Sequence, residues 1–210
     1  MRSTLLLLLA STGLALAGAA TVPVGRFSAG DLDGWQSKTF RGETLYRIVE
    51  HGGRKVLQAD SHAGASGLYR EMRVDLTRTP FLRWSWSVDH VLESVDERSK
   101  GGDDYPARVY VVVSGGAAFW RTRSLVYVWS SSEPVGSTWH NAYTSNARVI
   151  AVRSGQPGAW QQERRDVRAD FRRLFGDDIE ALDAVAIMTD TDNSGQSARA
   201  WYGDISFSAE

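Results

Sequence analysis

AVAIMTDTDNSGQSARAWYGDISF, residues Ala184 to Phe207, reads as two strands joined by an acidic turn. In the second strand Trp201, Gly203, Ile205 and Phe207 share one parity, and Tyr202, Asp204 and Ser206 share the other. That alternation is the period of a strand with one buried face. Between the strands, Asp190, Asp192, Asn193 and Gly195 stand close together. Carboxylates at this spacing repel one another unless a cation or water lies among them.

Outward from this stretch the chain repeats the strand signal. Thr44–Glu50, Arg54–Asp60, Gly67–Leu76, Phe81–Asp89, Ala107–Ser114, Ser124–Ser130 and Ala147–Arg153 are strand-like, and Val24–Ser28 is a candidate first strand. Gly, Asp, Asn or Pro punctuates most of the gaps, and His51-Gly52-Gly53 has the composition of a hairpin turn. Trp160–Phe175 departs from the pattern. Val167, Phe171, Leu174 and Phe175 recur at helical spacing and Gly176 supplies a C-cap, so a helix is predicted over Asp166–Phe175. Trp160–Arg165 fits either that helix or a strand leading into it. Many short strands and one short helix predict an all-β fold, an antiparallel β-sandwich of jelly-roll type.

The 210 residues suffice for one domain with a sizeable core. Residues 1–20 read as a signal peptide: Arg2, an apolar run from Leu5 to Leu16, then small-x-small sites at Ala15-Leu16-Ala17 and Ala17-Gly18-Ala19. The run is too short for a stable membrane anchor. The expectation is therefore a single domain over residues 21–210 in the periplasm or outside the cell, with no anchor once the leader is cleaved. With Cys 0, thiol chemistry and cysteine-held metals are excluded. The net charge of -1 gives no electrostatic case for nucleic acid. Oligomeric state is not legible.

Several stretches carry candidate chemistry. In Phe81–Asp89, Leu82, Trp84, Trp86 and Val88 share a face. Two Trp at spacing two suit a sugar-stacking platform, but their aliphatic neighbours favour a core strand. In Gly101–Ser114, Asp103 and Asp104 precede a strand that opens with Arg108, which fits either a polar site at the sheet rim or an ion pair pinning a loop. Ser124–Ser130 puts Leu125, Tyr127 and Trp129 on one face and Val126 and Val128 on the other. If the valines pack inward, Tyr127 and Trp129 line an open face and can stack on a ligand. Arg70 shares parity with Leu68, Met72, Val74 and Leu76, and a buried Arg needs a carboxylate, for which Asp103 or Asp104 is the candidate.

The acidic turn has the oxygen spacing of the first half of a calcium loop at Asp190, Asp192 and Ser194. Trp201 occupies the place of the bidentate Glu that would complete an EF-hand, so any calcium cage here is a different one, with Asn193 and Asp204 as further candidate ligands. The alternative is a solvated hairpin turn. The four His are scattered, and no G-x-S-x-G or H-E-x-x-H motif is present. Asp103 or Asp104 with Asp190 or Asp192 is the one pairing worth testing for glycosidase chemistry.

FSAGDLDGW, ASGLYREMRVDL, RWSWSV, GDDYPARVYVVV, MTDTDNSG and YGDISF, in that order, resemble a bacterial exported family of unknown function, family 3047. That resemblance implies no catalytic residue. The layout is also similar to galactose-binding-like and carbohydrate-binding-module jelly rolls. The likeness rests on Phe27, Gly34-Trp35 and Tyr202-Gly203-Asp204-Ile205-Ser206-Phe207. It implies a structural calcium ion with Asp204 as a ligand. The expectation is thus an exported, non-catalytic binding protein for a carbohydrate or envelope glycan. Tyr127 and Trp129 would stack, Asp103, Asp104 and Arg108 would bond hydroxyls, and Arg70 would support them. A glycan-active hydrolase or lyase using the Asp clusters, or a structural envelope protein, are the alternatives.

Overall fold

The computed structural model describes residues 20–155, 157 and 160–210. The expected leader lies outside the described residues, apart from Ala20. In chain order the strands are β1 (Thr21–Gly25), β2 (Gln36–Arg41), β3 (Thr44–His51), β4 (Arg54–His62), β5 (Ala65–Asp75), β6 (Phe81–Val88), β7 (Ala107–Val113) and β8 (Arg123–Ser130). Then follow β9 (Thr138–His140), β10 (Ala147–Ser154), β11 (Gln161–Asp166), the helix α1 (Val167–Phe175), β12 (Ala181–Asp190), β13 (Ser197–Tyr202) and β14 (Ile205–Ser208).

The strands form two sheets. The first runs β1-β14-β6-β13-β4-β3, with β11 also on β6, and the second runs β2-β5-β12-β7-β8-β10-β9. All pairings are antiparallel except β8 with β10, which is parallel, with β9 on the far side of β10. The fold is the all-β sandwich that alternation predicts, with its one helix.

Inner-facing side chains seal the space between the sheets. Leu82, Trp84, Trp86 and Val88 of β6 meet Val109 and Val111 of β7 and Leu125, Tyr127 and Trp129 of β8 in one core. Trp84 stands edge-on to Trp86 at 5.4 Å, and Trp86 meets Trp129 at 5.9 Å. The stretch Phe81–Val88 is thus a core strand, not a stacking platform.

His51-Gly52-Gly53 forms the hairpin: His51 pairs with Arg54, and Gly52 and Gly53 both have positive φ, 61° and 77°. Helix α1 is capped by Asp166, whose Oδ1 accepts from Ala169 N at 2.9 Å, and ends at Gly176 in the left-handed conformation. Two local expectations fail. Val24–Ser28 is not one strand: β1 ends at Gly25, and Phe27–Ala29 turns as a short 3-10 helix. The acidic turn is not a solvated hairpin, because β12 and β13 lie in different sheets and the turn carries the chain from one to the other.

The last stretch also corrects its parity. Tyr202 pairs with Trp86, but Ser206 pairs with Arg83, so one extra residue sits at Gly203-Asp204. The slip lets Ala200 and Tyr202 face the core before it and Ile205 and Phe207 after it, while Trp201 stays on the outer side. A Cβ at Gly203 would lie 2.2 Å from Ser85 Oγ, so a larger residue there would have to turn that hydroxyl aside.

Candidate functional site

Since Val109 and Val111 point into the core, Arg108 and Tyr110 point out of the other face of the second sheet. A cleft of about 440 Å³ opens on that face. Its polar lining includes Asp103, Arg108, Asn141, Asp190, Asp192 and Asn193, with Arg41, Ser124 and Thr144. Phe40 and Tyr143 stand at it with 66% and 57% of their surface exposed.

Three chain segments deliver the charged groups. The long loop between β6 and β7 ends in Asp103 and Asp104. It is anchored by Glu97, whose carboxylate accepts from Ser130 Oγ and Ser131 N, each at 2.5 Å, and whose carbonyl accepts from the Tyr105 hydroxyl at 2.9 Å. Strand β7 brings Arg108. The end of β12 and the following turn bring Asp190, Asp192 and Asn193.

Arg108 sits between carboxylates. Nη2 pairs with Asp190, Nη1 lies 3.6 Å from Asp103, and the guanidinium stands 4.8 Å from the Tyr105 ring. Its Nε has no partner among the described residues. Asp103 also accepts from Asn141 Nδ2 at 3.0 Å. Asp104 is fully buried and accepts from Asn193 N at 3.2 Å, Asn193 Nδ2 at 3.1 Å and Ser194 N at 2.6 Å. The Tyr143 hydroxyl donates to Asn193 Oδ1 at 3.0 Å, which fixes that aromatic wall against the acidic turn.

Asp192 is half-buried. Burial and the charge of Asp104 both push its carboxyl above the ordinary carboxylate range. Carboxylate oxygens of Asp104, Asp190 and Asp192 lie within 4.8 Å of one another. Two oxygens on one calcium ion stand no farther apart than about this, given Ca–O distances of roughly 2.4 Å. The donor set fits such an ion, although Arg108 already holds one oxygen of Asp190.

Of the expected site residues, Asp103, Asp104, Arg108, Asp190, Asp192 and Asn193 converge here. Four others do not. Tyr127 and Trp129 are core residues, 0% and 2% exposed, so neither is available to stack on a ligand. Their strand is apolar on both faces, and the larger side chains fill the gap between sheets while Val126 and Val128 turn outward. Arg70 has neither Asp103 nor Asp104 as partner: its Nη1 donates to Val24 O at 2.7 Å, beside Gly34. Arg70 is half-buried rather than buried, so this carbonyl suffices, and the carboxylate that feels its charge is Asp31. Asp204 is exposed on the first sheet and accepts from Ser28 N at 2.8 Å and Ser28 Oγ at 2.6 Å, tying the first turn to the last strand. It is not part of the carboxylate cluster.

Phe40, Asn141 and Tyr143 escaped the sequence reading. Every residue of β2 is exposed, so Phe40 has no alternation around it, and Asn141 and Tyr143 sit in a loop. The one signal available was a bulky aromatic in each of two otherwise polar stretches.

A family profile described as a protein of unknown function, DUF3047, matches residues 33–206. No curated protein matches the sequence. Among solved structures, the family 30 carbohydrate-binding module of a Clostridium thermocellum cellulosomal cellulase superposes with a TM-score of 0.51 at 12% identity. The match covers 91% of this chain and 98% of that one. The family 11 module of the cellulase Lic26A-Cel5E from the same organism gives 0.47 at 11% identity, over 92% and 95%. A cellulase derived from Cel12A of Rhodothermus marinus gives 0.46 at 12% identity, over 89% and 100%. At 12% identity the likeness to the family 30 module is one of fold.

Proposed function

The chain belongs to the family of proteins of unknown function DUF3047, and from that premise we propose that it is an exported, non-catalytic protein that binds a carbohydrate. The observation that carries this reading is the cleft on the outer face of the second sheet. Exposed Phe40 and Tyr143 stand beside a floor of hydrogen-bonding groups, Asp103, Arg108, Asn141 and Asp190. Aromatic faces suit the C–H faces of a pyranose, and fixed polar groups suit its hydroxyls. The family 30 and family 11 modules, named as carbohydrate-binding, share the sandwich. The charged leader and its small-residue cleavage sites support export to the periplasm or beyond.

Binding is favoured over catalysis because, of the four clustered carboxylates, only Asp192 is not held by another chain segment among the described residues. Asp190 is held by Arg108, Asp103 by Asn141, and Asp104 by Asn193 and Ser194. A hydrolase would need one carboxyl free as acid and a second across the scissile bond. A calcium ion at Asp104, Asp190 and Asp192, with Asn193 alongside, is the second part of the proposal, supported by the 4.8 Å clustering of their oxygens. It would neutralise the acidic turn and fix the wall that carries Tyr143.

A glycan array probed with the full mature chain tests the proposal. Binding to a defined glycan, weakened by Tyr143→Ala, is the expected result. An empty array would leave the structural envelope reading, and sugar release from the array would favour the hydrolase.

A further inference from the structure

The polar cleft does not end at Tyr110. A second hollow of about 310 Å³ continues along the same face of the second sheet toward the Val112 end of β7. Phe40, Tyr110, Ser124 and Met188 line both. Arg108 and Val112 are four residues apart on one strand, about 13 Å at the strand rise. A single extended molecule can therefore occupy both hollows.

The chemistry changes along that path. The second hollow is walled mainly by Phe40, Tyr69, Tyr110, Val112, Ala186 and Met188, with Lys38, Thr122 and Ser124 also lining it. Register makes the surface continuous: Ala186 pairs with Tyr69 on one side and Tyr110 on the other. Across from Met188 stands Gly67, whose missing side chain deepens the surface there. Its hydrogen-bonding groups are Lys38, Ser124 and the hydroxyls of Tyr69, Tyr110 and Thr122. The Tyr69 hydroxyl already donates to Gln36 at 2.9 Å, and Thr122 Oγ1 accepts from Gly115 N at 3.2 Å. A sugar ring placed here would set hydroxyls against Phe40, Val112, Ala186 and Met188, stripped of water and without partners, which is costly. A hydrocarbon chain has no such demand, and it gains by leaving water.

We infer that the ligand is amphiphilic: a glycan whose sugar occupies the polar cleft and which carries a linear alkyl or acyl chain lying in the apolar hollow. This rests on the carbohydrate-binding reading and adds the substituent. It assigns sugar selectivity to Asn141 and its neighbours, and chain selectivity to Val112 and Ala186.

Calorimetric titration of the full mature chain tests it. The probes are methyl and n-octyl β-D-glucopyranoside, kept below micelle-forming concentrations, together with the same pair for each sugar returned by the array. The octyl compound of the preferred sugar is expected to bind at least tenfold more tightly than the methyl compound. Burial of each further pair of methylenes is worth on the order of tenfold. Val112→Asp, which puts a charge in the hollow, and Ala186→Leu, which fills it, should both erase the difference while leaving methyl-glycoside affinity within about twofold. Ala186→Leu keeps the test valid should Val112→Asp fail to fold. Equal affinity for the two compounds of a bound sugar overturns the inference and leaves the glycan reading standing. Octyl binding that ignores both the sugar and Asn141→Ala overturns the glycan reading, and this inference with it. So does the absence of binding to every compound.

Discussion

Arg108 and Asp190 form an ion pair in the floor of the cleft, with side chains only 4% and 2% exposed. Removing the cation alone leaves Asp190 and Asp103 buried together without it. Arg108→Met should therefore cost about 3–5 kcal/mol of stability. Replacing both partners, Arg108→Met with Asp190→Leu, should recover much of that. Urea denaturation of the two single variants and the double variant measures the coupling. A single variant as stable as the wild type would remove the pair from the account.

Trp129 tests the assignment of faces on β8. It is buried against Trp86, and its indole Nε1 donates to Gly155 O at 3.1 Å. Trp129→Ala should cost about 3–5 kcal/mol, as other buried large-to-small changes do. Its measured effect should lie in thermal unfolding. A variant of normal stability with lost binding would restore Trp129 to the surface.

Phe40 and Tyr143 should behave in the opposite way. Both are exposed, so Phe40→Ala and Tyr143→Ala should leave stability within about 0.5 kcal/mol of wild type. Each should weaken glycan binding by about 1–2 kcal/mol, roughly fivefold to thirtyfold. Calorimetric titration beside circular dichroism separates the two effects.

Asp192 gives a pH signature. Its carboxyl is raised in the folded state by burial and by Asp104. The folded protein therefore binds this proton more readily than the unfolded chain. The contribution is favourable below the unfolded value of about 3.8 and is lost as pH rises through the folded value. At neutral pH, Asp192→Asn should stabilise the protein without calcium by a few tenths of a kcal/mol, roughly 0.5, given the solvent around the group. The gain should vanish on acidification. Added calcium should stabilise the wild type and not the variant. Melting curves from pH 3 to pH 7, with and without calcium or a chelator, check both signs.

The sandwich was legible because most of its strands have one buried face. Alternation in Phe81–Val88 and Ala107–Val113 follows from that, and so do the double-glycine hairpin and the capped helix. Alternation fails where a strand has two apolar faces, as β8 does, or none, as β2 does. It was also broken by the extra residue at Gly203-Asp204, which no periodicity announces. The charged half of the cleft was visible as residue types: Asp103, Arg108, Asp190 and Asp192 are costly to bury and need one another. Their convergence is a matter of topology, since it depends on the acidic turn crossing between sheets. Asp204 and Arg70 were misplaced for the same reason. Asp204 bonds to Ser28 in the first turn and Arg70 to the Val24 carbonyl of β1, and such partners leave no trace in composition.

The account stands most directly on where a bound glycan sits. Amide chemical shifts of the ¹⁵N-labelled chain, followed during titration with the glycan that the array selects, give that position. The account predicts perturbations concentrated at Phe40, Tyr110, Asn141, Tyr143 and Asp192, on the outer face of the second sheet. Perturbations confined to the first sheet, or none at saturating glycan, would contradict it.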